Sequence, residues 1–351
     1  MPPSRALVFY GRVGTYKRRA ALLERGAPGE INLWRTCALT ARQQVFENWE
    51  EDGNVDVFVQ SWNPGPMAVA MDAFWQPAAS EHAEQNASLR CPVQMRLCER
   101  TMWALLGMKQ GLALRAAYER RSGVKHATVL VARHDVYWRN PVPSVRTDGA
   151  IRLWLPFDCQ VNYCHDGPAN VSACWGRQPS NDSDWMLLRH SQSLYFGTRC
   201  DRTHHDARNL AICAHTVLID WWFIADRALA DGFGDTFDAF ESYSRLVQDK
   251  LQLNISAPHN YWGLHFFLRK QLRAKCQVGH VMLHGLDFTL GRFLPDGVNA
   301  TSTCRFGDRE PWRPRWQPPR EAASCEQIAG YTTMCPGVPA QRPLNYVCTD
   351  L

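Results

Sequence analysis

The triplet Arg133-His134-Asp135 follows directly on the apolar run Thr128-Val129-Leu130-Val131-Ala132. Such a run reads as a buried strand, and open α/β sheets bind ligands at the carboxyl ends of their strands. A carboxylate and a guanidinium at that place suit a nucleoside diphosphate. Mg²⁺ or Mn²⁺ takes one or two protein carboxylates together with diphosphate oxygens, and an adjacent cation shares the remaining charge. Asp135 is therefore the candidate metal residue and Arg133 a candidate diphosphate contact, with a plain salt bridge or turn as the alternative. His134 either alternates to the opposite face or joins as a further ligand.

A second group lies near the N-terminus, where Ala6-Leu7-Val8-Phe9-Tyr10 runs into Gly11-Arg12-Val13-Gly14-Thr15-Tyr16. Gly11 and Gly14 would let backbone amides approach a phosphate, and Arg12 and Lys17 would neutralise its charge. The turn is neither a Walker A sequence nor a GxGxxG fingerprint, and two glycines after a strand are also ordinary turn punctuation. A third candidate is Asp220, inside Val217-Leu218-Ile219-Asp220-Trp221-Trp222-Phe223-Ile224. A carboxylate amid apolar neighbours is partly desolvated and so a stronger base; a helix N-cap or buried acceptor is the competing role. Trp62, Trp138, Trp221 and Trp222, where exposed, would stack on sugar rings, although with 14 tryptophans most belong to the core.

The elements that must position these residues follow from hydrophobic patterning. Residues 6–10, 55–59 and 128–132 read as buried strands, and Thr40-Ala41-Arg42-Gln43 reads as a capping box opening a helix over about 41–51. Strand, helix and strand make a βαβ unit. From Pro92 to about Arg121 the spacing of Met95, Cys98, Met102, Leu105, Leu106 and Leu112 predicts a helix of some eight turns, stopped by Gly123. Cys98, on its apolar stripe, reads as a plain core thiol. Further strands are expected at 151–156, 217–224 and 279–284, a helix at 259–273, and another through Phe237, Phe240 and Tyr243.

The 351 residues are 45% hydrophobic, 21% charged and 11% aromatic, which excludes a disordered, collagen-like or coiled-coil chain. The net charge of +5 is spread along the chain apart from Lys17-Arg18-Arg19, so no nucleic-acid-binding stripe is present. Thirteen cysteines without a CxxC pair or zinc-finger spacing read as disulfide partners. Five Asn-x-Ser/Thr acceptors, at Asn86, Asn170, Asn181, Asn254 and Asn299, fit the same secretory lumen. No signal peptide or membrane span precedes the first strand, so the targeting segment is expected to be missing from this sequence. The expected organisation is an α/β domain over 1–295, with an exposed insertion at about 158–190 pinned by Cys159, Cys164 and Cys174. A Cys/Pro-rich extension over 296–351 is expected to be tied down through Cys304, Cys325, Cys335 and Cys348.

The ordered segments ALVFYGRVGTY, VDVFVQSW, VLVARHDVYW and LIDWWFIADRALADGF resemble the Golgi-type GT-A nucleotide-sugar glycosyltransferases of algae, plants and large viruses over residues 5–290. The resemblance implies a GT-A-like, Rossmann-like, mostly parallel sheet flanked by helices. It implies transfer of a sugar from a nucleoside-diphosphate donor to a glycan or glycoprotein acceptor in the Golgi lumen, assisted by Mn²⁺ or Mg²⁺. Gly11, Arg12 and Gly14 would border the donor, Asp135 would hold the metal with the diphosphate, and Asp220 would contact the acceptor or act as base. Late histidines are metal ligands in some such enzymes, which makes His284 a candidate. His259-Asn260-Tyr261-Trp262 departs from the acidic pattern often found there, which bears on the base assignment.

Two other functions compete. A PAPS-dependent sulfotransferase is also luminal and α/β, and Val13-Gly14-Thr15 resembles its phosphate loop, but the usual lysine before the turn is absent. A non-catalytic secreted carbohydrate-binding protein would use the tryptophans without turnover.

Overall fold

In the computed structural model, residues 4–13, 28–85, 89–95, 97–149, 151–157, 220–249, 258–268, 277–283, 288–290, 302–306 and 346–350 are described. Strand β1 (Ser4–Tyr10) is the apolar run read from sequence, and both its faces are covered. Ala6, Val8 and Tyr10 enter one core layer and Leu7 and Phe9 the other. Apolar side chains on both faces force β1 into the middle of a sheet with helices above and below. It pairs in parallel with β2 (Val55–Ser61) on one side and β4 (His126–Arg133) on the other.

Among the described residues the sheet has seven strands in the order β3-β2-β1-β4-β7-β6-β8, with β3 (Ala79–His82), β6 (Ile151–Phe157), β7 (Trp222–Asp226) and β8 (Gln277–Leu283). Six strands run one way. β7 alone is reversed, antiparallel to both β4 and β6. The expected α/β class with a mostly parallel, helix-flanked sheet is what the chain adopts. A short pair, β5 (Val136–Trp138) with β9 (Phe288–Leu290), continues from the end of β4. In the tail, β10 (Ser302–Phe306) and β11 (Tyr346–Asp350) form an antiparallel ribbon.

Helices occupy both faces. Helix α1 (Pro28–Ala41) runs without a break through a π-helical turn (Arg42–Phe46) into α2 (Glu47–Glu50). Thr40 is therefore mid-helix and not the N-cap the sequence suggested. Its hydroxyl donates to the Cys37 carbonyl and accepts from the Trp138 amide, so a tertiary contact takes the capping group. Helix α3 (Pro66–Trp75) shares that face. On the other face lie α4 (Cys98–Ser122), α5 (Arg227–Gly234), α6 (Phe240–Asp249) and α7 (Pro258–Leu268).

Helix α4 is shorter at its start than its periodicity predicts, because Leu97 sits in the left-handed region at φ 60°. Cys98, read as a core thiol, is instead disulfide-bonded to Cys91, which ties the entry loop to the first helical turn. Gly123, at φ 76°, ends the helix as expected. Arg115 of α4 is fully buried between Glu119 and Asp231, and Glu119 also meets His126 at the amino end of β4. The other nitrogen of His126 faces Asp56. This charged cluster belongs to the amino edge of the sheet, away from Arg133 at the other end of the same strand.

The strand expected over 217–224 begins only at Trp222; Asp220 and Trp221 form the turn that enters it. The 158–190 insertion, all five acceptor asparagines and most of the 296–351 extension lie outside the described residues.

Candidate functional site

At the carboxyl edge of the parallel strands, four segments converge: the turn after β1, the end of β2, the end of β4 and the turn before β7. Because β7 is reversed, the residues that precede it meet the residues that follow its neighbours. Arg133 lies at the centre. Its Nε and Nη2 donate to the two carboxylate oxygens of Asp135 at 2.9 and 2.7 Å, and its Nη1 stands 3.7 Å from Asp220 Oδ2. The side chains of Asp135 and Asp220 are only 4% and 2% exposed, whereas that of Arg133 keeps 18%. The backbone amide of Arg133 donates to the Trp221 carbonyl, fixing the β4 end against the turn before β7.

The electrostatics follow from this arrangement. Burial opposes the charge on Arg133, but Asp135 and Asp220 outweigh it and hold the group more firmly protonated than usual. The Tyr10 hydroxyl donates to the Asp220 carbonyl at 3.0 Å. Burial, with Asp220 and Asp135 adding to it against Arg133, pushes the Tyr10 phenol well up, so it stays a neutral donor.

His134 is not a ligand beside Asp135. It is buried, stacks on Phe9, and its Nε2 meets the Gln60 carbonyl at 2.8 Å, where only a protonated nitrogen can serve. Burial lowers its pKa to about 4, against the pull of that hydrogen bond, so the ring is neutral at physiological pH.

The turn after β1 begins with Gly11 at φ +97°, a backbone conformation that favours glycine. Its residues are gripped by the end of β2. The Gly11 amide donates to Gln60 Oε1 at 3.0 Å, and the Trp62 amide donates to the Gly11 carbonyl at 3.0 Å. Val13 exchanges two hydrogen bonds with the Asn63 side chain, at 2.9 and 3.1 Å. Behind this junction, α4 approaches closely at Gly107. A Cβ there would lie 2.7 Å from Gln60 Oε1 and 2.9 Å from Trp62 Nε1.

The structure thus brings together Arg133, Asp135 and Asp220, and places Gly11 and Arg12 at the same edge, directly after Tyr10, which pairs with Arg133. Gly14, Lys17 and His284 lie outside the described residues. The four tryptophans considered as sugar platforms are all buried. Trp62 donates to the Trp103 carbonyl, and Trp138, Trp221 and Trp222 surround Phe288 in an aromatic cluster. Sequence reading missed Tyr10, Gln60, Asn63 and Gly107. For Gln60 and Asn63 the signal was present, since polar residues at the carboxyl end of β2 obey the same rule that singled out Asp135.

The donor chemistry fits a hard divalent cation. Asp135 offers carboxylate oxygens of the kind Mg²⁺ or Mn²⁺ takes, although both now accept from Arg133. Among the described residues no three His, Cys, Asp or Glu side chains gather at metal-binding spacing, so further oxygens would come from a bound diphosphate.

No family model matches the chain. The comparison with curated proteins returns no match either. Among solved structures the chain is similar to core-mannan synthase A of Aspergillus fumigatus in its Mn/GDP form, at 12% identity and a TM-score of 0.36, over 80% of this chain and 73% of that one.

Proposed function

We propose that this protein is a glycosyltransferase that moves a sugar from a nucleoside-diphosphate donor to a glycan or glycoprotein acceptor. One observation carries the reading. Two buried carboxylates converge on Arg133, whose side chain is partly exposed, beside a glycine turn, at the edge where open α/β sheets take phosphorylated ligands. In this reading the sugar's anomeric carbon bonds to an acceptor oxygen as its bond to the diphosphate oxygen breaks. Arg133 and Arg12 face the negative charge that grows on the leaving diphosphate, an electrostatic role. Asp220 takes the acceptor's hydroxyl proton if configuration is inverted. Asp135 would hold Mn²⁺ or Mg²⁺, which when bound would neutralise the diphosphate. Gly14 and Lys17 at the donor and His284 at the metal complete the proposed set.

The Cys91–Cys98 disulfide and the five acceptor asparagines support a secretory, Golgi-type setting. The test is a thermal-shift panel of UDP, GDP and PAP, each with Mn²⁺ or with EDTA. A nucleoside diphosphate is expected to raise Tm, and Asp135→Ala to abolish the metal-dependent part. Stabilisation by PAP alone would favour sulfuryl transfer, and stabilisation by none, with glycan binding intact, a binding module.

A further inference from the structure

The parallel register between β1 and β2 ends at Phe9 opposite Val59, yet the two segments stay joined for four more residues by a different device. Beyond the ladder, the end of β2 takes every backbone polar group of Gly11 and Val13. Gln60 Oε1 accepts from the Gly11 amide, the Trp62 amide donates to the Gly11 carbonyl, and the Asn63 amide group both accepts from Val13 N–H and donates to Val13 C=O. A carboxamide carries a donor and an acceptor side by side, so it can do both to one residue and act as a substitute strand edge. Asn63 and Gln60 are themselves fixed. The Asn63 amide donates to Ser61 Oγ at 2.9 Å, Gln60 donates to Gln110, and Gln60, Ser61 and Asn63 are all buried. Arg12 sits between the two gripped residues and is treated differently. Among the described residues its side chain makes no hydrogen bond or ion pair, and its Nε is buried without a partner.

We propose that Gln60 and Asn63 are positioning residues whose task is to hold the Gly11–Val13 turn so that the Arg12 guanidinium is presented to an anionic ligand, the diphosphate of the donor. A guanidinium left unpaired beside a rigid turn is an anion receptor already organised for its ligand, since little ordering remains to be done on binding. The inference rests on the donor reading and deepens it, because it assigns the diphosphate contact to a residue whose geometry depends on β2.

The experiment is isothermal titration of wild type, Asn63→Ala, Arg12→Gln and the double variant with UDP and with GDP in the presence of Mn²⁺. Each single substitution is expected to weaken the better nucleotide by roughly tenfold or more. The double variant is expected to be no weaker than Arg12→Gln alone, because Asn63 acts through Arg12. A merely structural Asn63 would give additive losses, or a lowered Tm with unchanged Kd, and either result overturns the proposal. If Asn63→Ala does not fold, Ser61→Ala removes the acceptor of the Asn63 backbone amide, loosening the residue that grips Val13, and enters the same cycle with Arg12→Gln. Failure of wild type to bind either nucleotide overturns the donor reading, and this inference with it.

Discussion

Arg133 and Asp135, two residues apart in the chain, close on each other as a bidentate pair, and the same guanidinium reaches Asp220 across the strand boundary. The positive charge in the site is thus the protein's own until something replaces it. In the proposed reading a divalent cation would compete with Arg133 for Asp135, and a diphosphate bound with the metal would be the anion able to draw the guanidinium away.

A consequence for metal binding follows. Arg133→Gln is expected to bind Mn²⁺ without nucleotide more tightly than wild type, because two buried carboxylates lose their counter-charge. In EDTA the variant is expected to be less stable by about 3–5 kcal/mol, the usual cost of breaking a buried pair, and Mn²⁺ is expected to restore more of that loss than it adds to wild type. Mn²⁺ electron resonance and thermal melts read both effects. Equal Mn²⁺ affinity in the two proteins would show that the guanidinium does not compete.

Gly107→Ala tests the approach of α4 to the site. Alanine favours a helix by up to ~1 kcal/mol over glycine, yet the new methyl would collide with Gln60 Oε1 and Trp62 Nε1. Overpacking of this kind costs about 1–3 kcal/mol. Net destabilisation is expected, with weaker nucleotide binding because Gln60 holds the Gly11 amide. A stabilised variant with wild-type affinity would contradict the tight contact.

His134 makes stability depend on pH. Its folded pKa, lowered to about 4 by burial, lies below the ordinary 6.5, while the Gln60 carbonyl and Asp135 act upward and His82 downward. As pH falls below 6.5 the unfolded chain binds the proton first, so stability is lost between pH 6.5 and 4 by up to about 3 kcal/mol. Denaturant melts in EDTA are expected to show this slope flattened in His134→Gln relative to wild type. An unchanged slope would mean that the histidine is not held neutral.

Arg115 offers the opposite kind of variant. It is fully buried between Glu119 and Asp231 at the amino edge of the sheet. Arg115→Ala is expected to lower stability by about 3–5 kcal/mol while the nucleotide Kd of the folded fraction stays at the wild-type value. A changed Kd would reveal coupling between the two edges.

Much of the sheet was legible because apolar runs on central strands leave little choice of structure. Residues 6–10 and 128–132 became β1 and β4, and the rule about strand ends led to Arg133 and Asp135. Thr40 misled because its hydroxyl serves a distant amide, at Trp138, that only the fold brings near. Cys98 misled because helical spacing says nothing of a partner seven residues earlier in an irregular loop. The tryptophans show the same limit. Composition counts them, but only packing decided that Trp138, Trp221 and Trp222 would share a cluster with Phe288. Gly107 was unreadable because its meaning depends on side chains of β2.

The single reversed strand also fixes where new sequence can be grafted. β6 runs with β4 and so ends, at Phe157, on the carboxyl edge; β7 runs against it and so starts, at Trp222, on that edge too. The 62 residues numbered 158–219 are therefore rooted at both ends on the rim that carries Arg133 and Asp220. Changes in their length or composition enter and leave the fold at that rim, while the pairings of the described strands do not depend on them. In this architecture the sheet is the constant part, and the segment rooted on that rim is open to replacement.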